Sequence, residues 1–379
     1  MPKDKPTSAV RRLLRQGLIW AAVSCPAVAL AFDADERVRL WPDNLFGVDF
    51  PTADVGFISG YAGTVLRTDD GGENWVWSQV GVNELLRRIA FVDTQHGWAV
   101  GHRGSVLHTS DSGATWQVQT QQQNTYLRDV TFVDGNRGWV VGHEATILAT
   151  VDGGSTWQPQ QLTGFTGRDL PRLHAVSAID ASRAMLVGEF GVAAYTENGG
   201  ATWQVFDAGT KKTLLSLAHL GDGVFLAGGL DGTLVRLEPT AARGASPHAA
   251  EPDAPGGDAA AAAPYTARAL ATMTTEHFFA VADAGNGRAV ATGRAVLRLT
   301  DGDAVTPVTV DDSIQLPFTW FAGAEVTSDG QLFLVGIRGI IAGGQLDDET
   351  GAVGLRGALG RSDTIRIAAG SRQAKGTRP

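Results

Sequence analysis

The chain has 379 residues, of which 43% are hydrophobic and 19% charged, with a formal net charge of -9. This composition excludes an intrinsically disordered chain, and the excess of acidic residues argues against nonspecific nucleic-acid binding, so no nucleic-acid partner is predicted. The 48 glycines, in a chain rich in valine and leucine, favour tight turns and short strands over helices.

The N-terminal segment 1–31 has the pattern of a secretory signal peptide. Basic residues precede an apolar run, and Ala29-Leu30-Ala31 fits the small-x-small cleavage pattern. The run is short for a membrane-spanning helix and contains Pro26. We therefore predict export to the periplasm, a mature start at Phe32, and a protein that is peripheral to the membrane at most. Lipidation of Cys25 is the less favoured alternative, because the residues before it weakly resemble a lipoprotein cleavage box.

A motif that ends in tryptophan occurs four times between residues 68 and 203. It reads TDDGGENW, TSDSGATW, TVDGGSTW and TENGGATW, and consecutive tryptophans are 41, 41 and 46 residues apart. A fixed period of this length is the signature of a repeat architecture. The acidic or amide residue and the tryptophan of the four copies are Asp70 and Trp75, Asp111 and Trp116, Asp152 and Trp157, and Asn198 and Trp203.

Each motif is preceded in the chain by the pattern strand, glycine, turn, strand. The same pattern recurs three more times in the second part of the chain, where the tryptophan motif is no longer present. The marker glycines of the seven copies are Gly60, Gly101, Gly142, Gly188, Gly228, Gly293 and Gly336. An apolar run opens each repeat, so we assign four strands per repeat, named A to D. The predicted fold is all-β, a seven-bladed β-propeller with four-stranded blades over residues 32–348.

Two segments fall outside the repeat pattern. Residues 239–265 are low-complexity and rich in Ala, Pro and Gly, and we predict a disordered insertion loop there. Residues 349–379 are predicted to be a partly disordered C-terminal extension. Two segments can close the ring, RVRLW at 37–41 and TIRIA at 364–368, and the first is favoured because strand A of the first blade follows it directly.

The repeated motif has the pattern T-x-D-x-G-x-T-W of the Asp-box, or BNR repeat. Its Thr and Asp side chains can hydrogen-bond the local backbone, its glycine permits a positive φ, and its tryptophan can pack between blades. A catalytic motif would rarely occur four times at equivalent positions in four different blades of a propeller. We therefore predict a structural motif, and calcium binding by these turns is the minor alternative.

The phrases GWAVG and GWVVG before the Asp-box hairpin, together with the period, resemble the photosystem II stability/assembly factor family. The resemblance covers about residues 38–348 and is strongest over the first four repeats. It implies a seven-bladed propeller without enzymatic activity or cofactor, which acts as an assembly chaperone and binds through an arginine-rich face. The implied partner is a protein subunit of a membrane complex, and in a non-photosynthetic bacterium it could belong to a transporter.

Basic residues recur at the D-to-A and B-to-C connections, which lie on one face of a propeller. Arg87 and Arg128 share one repeat position. The basic recurrence suits an acidic or C-terminal peptide partner. The alternative, weighed equally, is that these residues solvate the loops and pair with Asp129, Asp169 and Glu84. The predicted partner-binding residues are Arg87, Arg88, His102, Arg103, Arg128, His143, Arg172 and Arg338.

A sialidase-like glycoside hydrolase or a carbohydrate-binding propeller is the rival class of function. The sialidase reaction needs an arginine cluster, a Tyr nucleophile with a Glu partner, and an acid/base Asp. The N-terminal F/Y-R-I-P signature of sialidases is absent, and VRLWP at 38–42 resembles it only weakly. His102 and His143 occupy equivalent turns without the spacing of a metal site. We therefore predict a monomer with no catalytic residues, no metal and no cofactor.

Overall fold

Seven antiparallel sheets follow one another along the chain in the structure, a computed structural model that describes residues 44–121, 125–240, 264–295, 297–308, 316–346 and 365–367. The first strand of each sheet contacts the first strands of both neighbouring sheets, and the first and seventh sheets meet in the same way. The sheets therefore close into a ring around an axis lined by strands A, which confirms the predicted seven-bladed propeller. The predicted signal peptide lies outside the described residues.

Blades 1 to 4 carry strands A to D in chain order. Blade 1 comprises β1 (Leu45–Asp49), β2 (Gly56–Gly60), β3 (Thr64–Thr68) and β4 (Trp75–Gln79). Blade 2 comprises β5 (Leu86–Phe91), β6 (Gly97–Gly101), β7 (Ser105–Thr109) and β8 (Gln117–Gln121). Blade 3 comprises β9 (Leu127–Phe132), β10 (Gly138–Gly142), β11 (Ile147–Thr150) and β12 (Gln158–Gln160). Blade 4 comprises β14 (Leu173–Ala178), β15 (Ala184–Gly188), β16 (Val192–Thr196) and β17 (Trp203–Asp207), with β13 (Leu162–Thr163) added parallel to β17.

Blades 5 to 7 continue the pattern, but only three strands of blade 7 lie within the described residues. Blade 5 comprises β18 (Leu214–His219), β19 (Phe225–Gly229), β20 (Leu234–Pro239) and β21 (Tyr265–Ala269). Blade 6 comprises β22 (Phe278–Asp283), β23 (Arg288–Gly293), β24 (Leu297–Asp301) and β25 (Ala304–Pro307). Blade 7 comprises β26 (Phe321–Val326), β27 (Gln331–Gly336) and β28 (Ile341–Gln345). Short 3-10 turns occur at Tyr61–Gly63, His102–Gly104, Glu189–Gly191, Leu316–Phe318 and Ile337–Gly339.

The two faces of the ring carry different connections. B-to-C turns hydrogen-bond the D-to-A connections on one face, as in the bond from His102 N–H to the Leu85 carbonyl at 3.0 Å. We call this face the mouth face. The A-to-B and C-to-D turns share the opposite face, where Gly153 N–H donates to the Asn136 carbonyl at 2.8 Å. Within the described part of the chain, no helix is long and apolar enough to cross a bilayer.

A glycine ends every strand B because the backbone of strand A passes too close for a side chain. A Cβ on Gly101 would lie 1.9 Å from the Leu85 carbonyl oxygen, and one on Gly293 would lie 1.8 Å from that of His277. Six of the seven predicted marker glycines hold this place. The prediction was wrong in blade 5, where Gly229 rather than Gly228 meets the preceding carbonyl, that of Thr213.

Stacked aromatic rings join neighbouring blades and also close the ring. Phe57 of blade 1 stacks on Phe91 of blade 2, and Trp98 of blade 2 stacks on Phe132 of blade 3. At the closure, Phe333 of blade 7 stacks on Phe50 of blade 1, with centroids 4.2 Å apart. The closing contact thus uses the same strand positions as contacts within the ring.

The four motif turns share one hydrogen-bond pattern. In blade 1, the Asp70 carboxylate accepts from the Thr68 hydroxyl at 2.7 Å and from Asn74 N–H at 2.9 Å, while the Thr68 hydroxyl accepts from Gly72 N–H. Hydrogen bonds from Thr156 N–H and from the hydroxyls of Thr156 and Thr150 lower the pKa of the equivalent Asp152. The carboxylates therefore serve the turn itself, which supports the predicted structural role. The corresponding residues elsewhere are Thr109, Asp111, Gly113 and Thr115, and Thr196, Asn198, Gly200 and Thr202.

The motif tryptophans differ in burial. Trp75 and Trp203 are fully buried between blades, where they pack against residues of the preceding blade. Trp116 and Trp157 are only half-buried. All four therefore contact the preceding blade, but to different depths, since Trp116 and Trp157 pack against its buried cluster from the side. The fully buried tryptophans of blades 2 and 3 are Trp98 and Trp139 on their strands B.

The predicted insertion joins the adjacent strands C and D of blade 5. Its predicted bounds were too wide, because Pro239 and Tyr265 lie in strands and pair with each other. Thr240 N–H donates to the Pro264 carbonyl at 2.7 Å, so the two ends of the insertion are already in contact. Residues 241–263 between them lie outside the described part of the chain.

We expect that replacement of residues 241–263 by Asn-Gly leaves the Tm equal to or above that of the parent protein. Asn-Gly favours a two-residue hairpin, and each halving of a flexible loop lowers its closure cost by about 0.6 kcal/mol. Thermal unfolding followed by circular dichroism measures the effect. A fall of more than a few degrees would show that the insertion stabilises the ring.

The two candidate closing segments have different outcomes. Residues 37–41 lie outside the described residues. Within the other segment, and within the predicted C-terminal extension, β29 (Ile365–Ile367) pairs in parallel with β4 on the outer edge of blade 1. It therefore does not complete blade 7.

Candidate functional site

The second residue of every strand A is bulged out of register with strand B. In blade 2, for example, Leu86 pairs with Gly101 and Arg88 with Val100, so that Arg87 has no partner in the ladder. A bulge re-aims its side chain, and strands A surround the axis, so seven such side chains ring the axis on the mouth face. These residues are Phe46, Arg87, Arg128, His174, Leu215, Phe279 and Ala322.

This ring of bulged residues is chemically divided. Blades 2 to 4 contribute Arg87, Arg128 and His174, which we call the basic arc. Blades 5, 6, 7 and 1 contribute apolar residues, which we call the apolar arc. The shared repeat position of Arg87 and Arg128 was visible in the sequence, but the other five members were not.

The cations of the basic arc lie close together. Burial, and then the neighbouring charges of Arg128 and Arg88, lower the pKa of Arg87 to about 9, so it stays protonated at neutral pH. The Arg87 guanidinium lies over the Phe46 ring, 4.9 Å from its centroid. Arg128 Nε donates to His143 Nε2 at 3.1 Å. Among the described residues, neither Arg87 nor Arg128 has a carboxylate within ion-pair distance.

The histidines of this region are neutral at physiological pH. Burial and the charge of Arg128 lower the pKa of His143 to about 4 and that of His174 to about 3. A neutral His143 can accept the proton of Arg128 Nε, as its geometry requires. Tyr126 lies between His102 and His143, with ring centroids 4.5 Å and 4.9 Å away. These rings position the arginines and add aromatic surface to the mouth face.

Three of the predicted partner-binding arginines form ion pairs with carboxylates of the chain. Arg88 Nε donates to buried Asp129 at 2.9 Å. Arg103 pairs with Glu84 at 3.1 Å, and Arg172 pairs with Glu189 at 3.3 Å.

The alternative that these residues pair within the chain thus describes part of the set, because Arg88 pairs with Asp129 and Arg103 with Glu84, as that alternative stated. Arg338 is exposed at the B-to-C turn of blade 7, where its backbone N–H donates to Asn44 Oδ1 at 2.8 Å. His102 and His143 lie in the turns of blades 2 and 3.

A cavity of about 590 Å³ adjoins the apolar arc between blades 6, 7 and 1. Two arginines, Arg87 and Arg294, stand beside its aromatic walls. Its volume and lining suit a bulky apolar side chain that is followed by an anionic group. The other lining residues are Phe46, Phe279, Pro317, Phe318, Thr319, Trp320 and Ala322.

Large exposed apolar side chains concentrate on the mouth face. Phe318 is 81% exposed and stands at the edge of the cavity. Exposed apolar side chains beside cations are typical of protein-binding surfaces. Composition of the connections alone did not reveal this cluster. Its members are Tyr61, Tyr126, Leu170, Phe190, Met273 and Phe318.

Two carboxylates lie deeper along the inner strands. Asp49 Oδ2 accepts from Phe91 N–H of the next blade at 3.0 Å. Burial raises the pKa of Asp49 to about 7, against the lowering effects of that hydrogen bond and of Arg88. Burial, and then the charge of Asp49, raise the pKa of Glu325 well above its ordinary value. Sequence reasoning missed this pair, because strands from opposite ends of the chain bring it together.

We expect Asp49→Asn to stabilise the protein near pH 8 by about 1 kcal/mol or more. The folded pKa of Asp49 is raised above the unfolded value, so the folded chain binds more protons between about pH 4 and 7, and stability falls as pH rises through that window. The asparagine keeps an acceptor for Phe91 N–H without the charge. Urea unfolding at pH 4.5 and pH 8 measures the change, with exposed Asp169→Asn as the control. An equal effect at both pH values would contradict the assignment.

The described residues contain no group of three or more His, Cys, Asp or Glu side chains that could hold a metal ion. The motif aspartates bond within their own turns, and the half-buried pair Asp49 and Glu325 faces Arg88. The arginines and exposed apolar side chains of the mouth face suit an anionic and apolar surface.

The structure is a seven-bladed propeller whose mouth face is divided into a basic and an apolar arc. The sequence model of the photosynthesis system II assembly factor YCF48 family matches residues 36–116 and 73–227, which together make up slightly more than half of the chain. The chain belongs to this family. No curated protein sequence matches the chain.

Solved structures share the fold at low sequence identity. YCF48 bound to a D1 peptide is 17% identical, with a TM-score of 0.59 over 81% of this chain and 94% of that one. YCF48 from Cyanidioschyzon merolae is 16% identical, with a TM-score of 0.59 over 81% of this chain and 96% of that one. An ancestral GH74 enzyme is 12% identical, with a TM-score of 0.63 over 85% of this chain but only 47% of that one.

Proposed function

We propose that the chain is an exported, non-enzymatic scaffold that binds a segment of a partner protein on its mouth face while a membrane complex is assembled or stabilised. Membership of the YCF48 family supports an assembly role. One solved YCF48 structure holds a D1 peptide, which supports binding of a polypeptide rather than of a small metabolite.

The observation that carries the proposal is the pairing of free cations with exposed apolar surface. Arg87 and Arg128 lack carboxylate partners among the described residues, and the cavity with Phe318 begins beside Arg87. Cations alone would suit many polyanions, whereas an apolar cavity next to them suits a peptide with an acidic residue or a C-terminal carboxylate beside a bulky side chain. The partner we infer is an exported segment of a membrane-complex subunit.

A glycoside hydrolase is the second candidate, because a coupled carboxylate pair with raised pKa values is typical of such enzymes. Asp49 and Glu325 form such a pair. Neither residue lines the cavity on the mouth face, the groove between blades 7 and 1, or the cavity at the motif turn of blade 3. Hydrolysis of a sialoside or a β-glucan at an enzyme-like rate, lost in Asp49→Asn, would favour the hydrolase over the scaffold.

Site-specific photo-crosslinking tests the scaffold function. A photoreactive amino acid replaces Phe318 on the mouth face or Val151, which is 65% exposed, on the opposite face. Membrane extract of the native organism supplies the partner. We expect one membrane-complex subunit to crosslink at position 318 and not at 151. Equal labelling from both positions, or labelling from 151 alone, would refute the proposed face.

Export is part of the proposal and is supported by the basic, apolar and Ala-x-Ala series of residues 1–31. Intact mass of the protein recovered from the periplasm tests it, and a chain that begins at Phe32 is expected. Diacylglycerol on Cys25 would instead show a lipoprotein.

A further inference from the structure

The outer edge of a blade is the side of its strand D that faces away from the axis, and we call it the rim edge. An exposed strand edge is a template for a further strand, and proteins guard such edges with an added strand, a proline or a charge. Blades 1 and 4 carry an added strand, because β29 pairs with β4 and β13 pairs with β17.

Blades 3, 5 and 6 carry the other guards. Pro159 lies in β12 and Pro307 in β25, and a proline has no N–H to offer a further strand. Arg268 in β21 forms an ion pair with Asp303 of blade 6, which places a charge on strand D of blade 5. The guards differ in kind, but each opposes the pairing of a foreign strand.

The rim edge of blade 2 has none of these guards among the described residues. Its strand β8 reads Gln-Val-Gln-Thr-Gln, without proline or charge, and β7 is its one neighbour in the described sheets. A bulge at Gln119, whose side chain donates to the Gly153 carbonyl, ends the regular part of the edge. That regular part is Gln117 and Val118, directly after Trp116, and Val118 is 44% exposed.

The two added strands show what a rim edge of this protein accepts. Ile365 of β29 pairs with Trp75, and Leu162 of β13 pairs with Trp203. Both strands run parallel to strand D, and both place an aliphatic residue opposite the motif tryptophan. Equivalent edges thus take strands of the same direction and the same chemistry.

Burial of the motif tryptophan accompanies an added strand. Trp75 and Trp203 are fully buried in the two blades that have one. Trp116 and Trp157 are half-buried, and β8 and β12 beside them have no added strand among the described residues. A half-buried tryptophan next to a bare strand edge is apolar surface that a further strand would cover.

We propose that the rim edge of blade 2 binds an extended segment of a partner protein as an added parallel strand. Trp116 and Val118 hold the places of Trp75 and Trp77, with which the segment Ile365–Ile367 pairs. The segment that fits therefore has two aliphatic residues separated by one, opposite Trp116 and Val118. Backbone hydrogen bonds supply the affinity of such an interface, and the alternate side chains supply its specificity.

The parallel direction favours a partner protein over a second copy of this chain. A twofold axis between two copies would pair β8 antiparallel with itself, whereas both added strands run parallel to strand D. The aliphatic segment 365–367 of the chain is itself engaged at blade 1. The occupant is thus a segment of similar chemistry from another protein.

Disulfide tethering of a peptide tests the edge. The probe is a synthetic peptide with the sequence of residues 360–371, in which Ile367→Cys should face position 118. The full chain carries Val118→Cys, and its one natural cysteine is removed by Cys25→Ser. Adjacent strands lie about 4.8 Å apart, a separation that a disulfide spans. The control is Val151→Cys, at a site that is 65% exposed on the face opposite the mouth.

We expect half-maximal tethering at position 118 at a peptide concentration at least tenfold lower than at position 151, in one thiol redox buffer. Intact mass of the protein measures the tethered fraction. Equal tethering at the two positions would overturn the proposal, because the peptide would then have no preference for the edge.

Backbone methylation of the peptide distinguishes strand pairing from a contact of side chains alone. The N–H groups of Ile365 and Arg366 point to opposite edges of an extended strand, so only one of them can face β8. We expect N-methylation of one of the two residues to remove the tethering preference and N-methylation of the other to leave it. Loss in both peptides, or in neither, would overturn the proposal.

A photoreactive amino acid in place of Val118 tests the occupant in membrane extract of the native organism. We expect the crosslinked site, mapped by mass spectrometry, to lie in a segment of another protein with two aliphatic residues separated by one. A crosslink to a second copy of this chain would overturn the choice of occupant. Peptide tethering should be unchanged in Arg87→Glu with Arg128→Glu, so its outcome is independent of the function proposed for the mouth face.

Discussion

Trp98→Ala is expected to lower the free energy of unfolding by about 3–5 kcal/mol, the range for a fully buried tryptophan. Trp98 is fully buried, stacks on Phe132 with centroids 3.5 Å apart, and donates its Nε1 proton to the Gly153 carbonyl at 3.1 Å. Its loss removes both the apolar contact and the hydrogen bond that join blade 2 to blade 3. Urea unfolding followed by tryptophan fluorescence measures the change.

Trp116→Ala is the matched control, because Trp116 is a half-buried tryptophan of the same blade. We expect it to cost about 1–2 kcal/mol, since only part of its apolar area leaves water on folding. Equal losses in the two variants would show that the motif tryptophan contributes as much to the contact between blades as the strand B tryptophan does.

Arg87→Glu combined with Arg128→Glu is expected to reduce partner capture at least tenfold while the Tm is kept. Opposed like charges at an interface cost a few kcal/mol, and 1.4 kcal/mol already corresponds to a factor of ten in affinity. The fold should survive, because the two arginines stand among like charges: besides burial, the charge of Arg128 lowers the pKa of Arg87, and both arginines lower the pKa of His174. Neither arginine has a carboxylate partner among the described residues, so their replacement breaks no ion pair there. The measured quantity is the yield of the crosslink at position 318.

Arg137→Glu with Arg183→Glu makes the same charge change on the opposite face, where both residues lie in A-to-B turns. Its crosslink yield should match that of the parent protein. Added salt should lower the parent yield, because exposed charges are screened over about 8 Å at physiological ionic strength. If the mouth-face variant captures the partner as well as this control does, the basic arc is not the binding site.

Local patterns were enough to predict the repeat, the fold class and the family. The hydrogen bonds of the motif turn and the close approach at the glycine that ends strand B both arise within one blade, so the spacing of these residues counted the blades correctly. Blade 5 shows the limit of this method. Gly228 and Gly229 are adjacent, and only the position of the Thr213 carbonyl distinguishes them.

The candidate site depended on contacts between blades and was only partly predictable. Arg87 and Arg128 stood out as a repeated position, but the divided ring also contains Phe46 and Leu215, which read as ordinary strand residues. Arg88 looked equivalent to its neighbour Arg87. The bulge separates the two, because it turns Arg87 to the mouth while Arg88 meets Asp129 of the next blade.

The division of the ring of bulged residues into a basic arc and an apolar arc also removes the sevenfold rotational symmetry of the propeller. Seven identical blades would offer a ligand seven equivalent orientations about the axis, and a bound chain could leave in any of seven directions. Arg128 and His174 lie on one side of the axis, and Phe279 and Ala322 lie on the other. On the proposed binding face, a ligand with one acidic and one apolar end would therefore fit in a single rotational setting, which would fix the direction in which the rest of its chain departs.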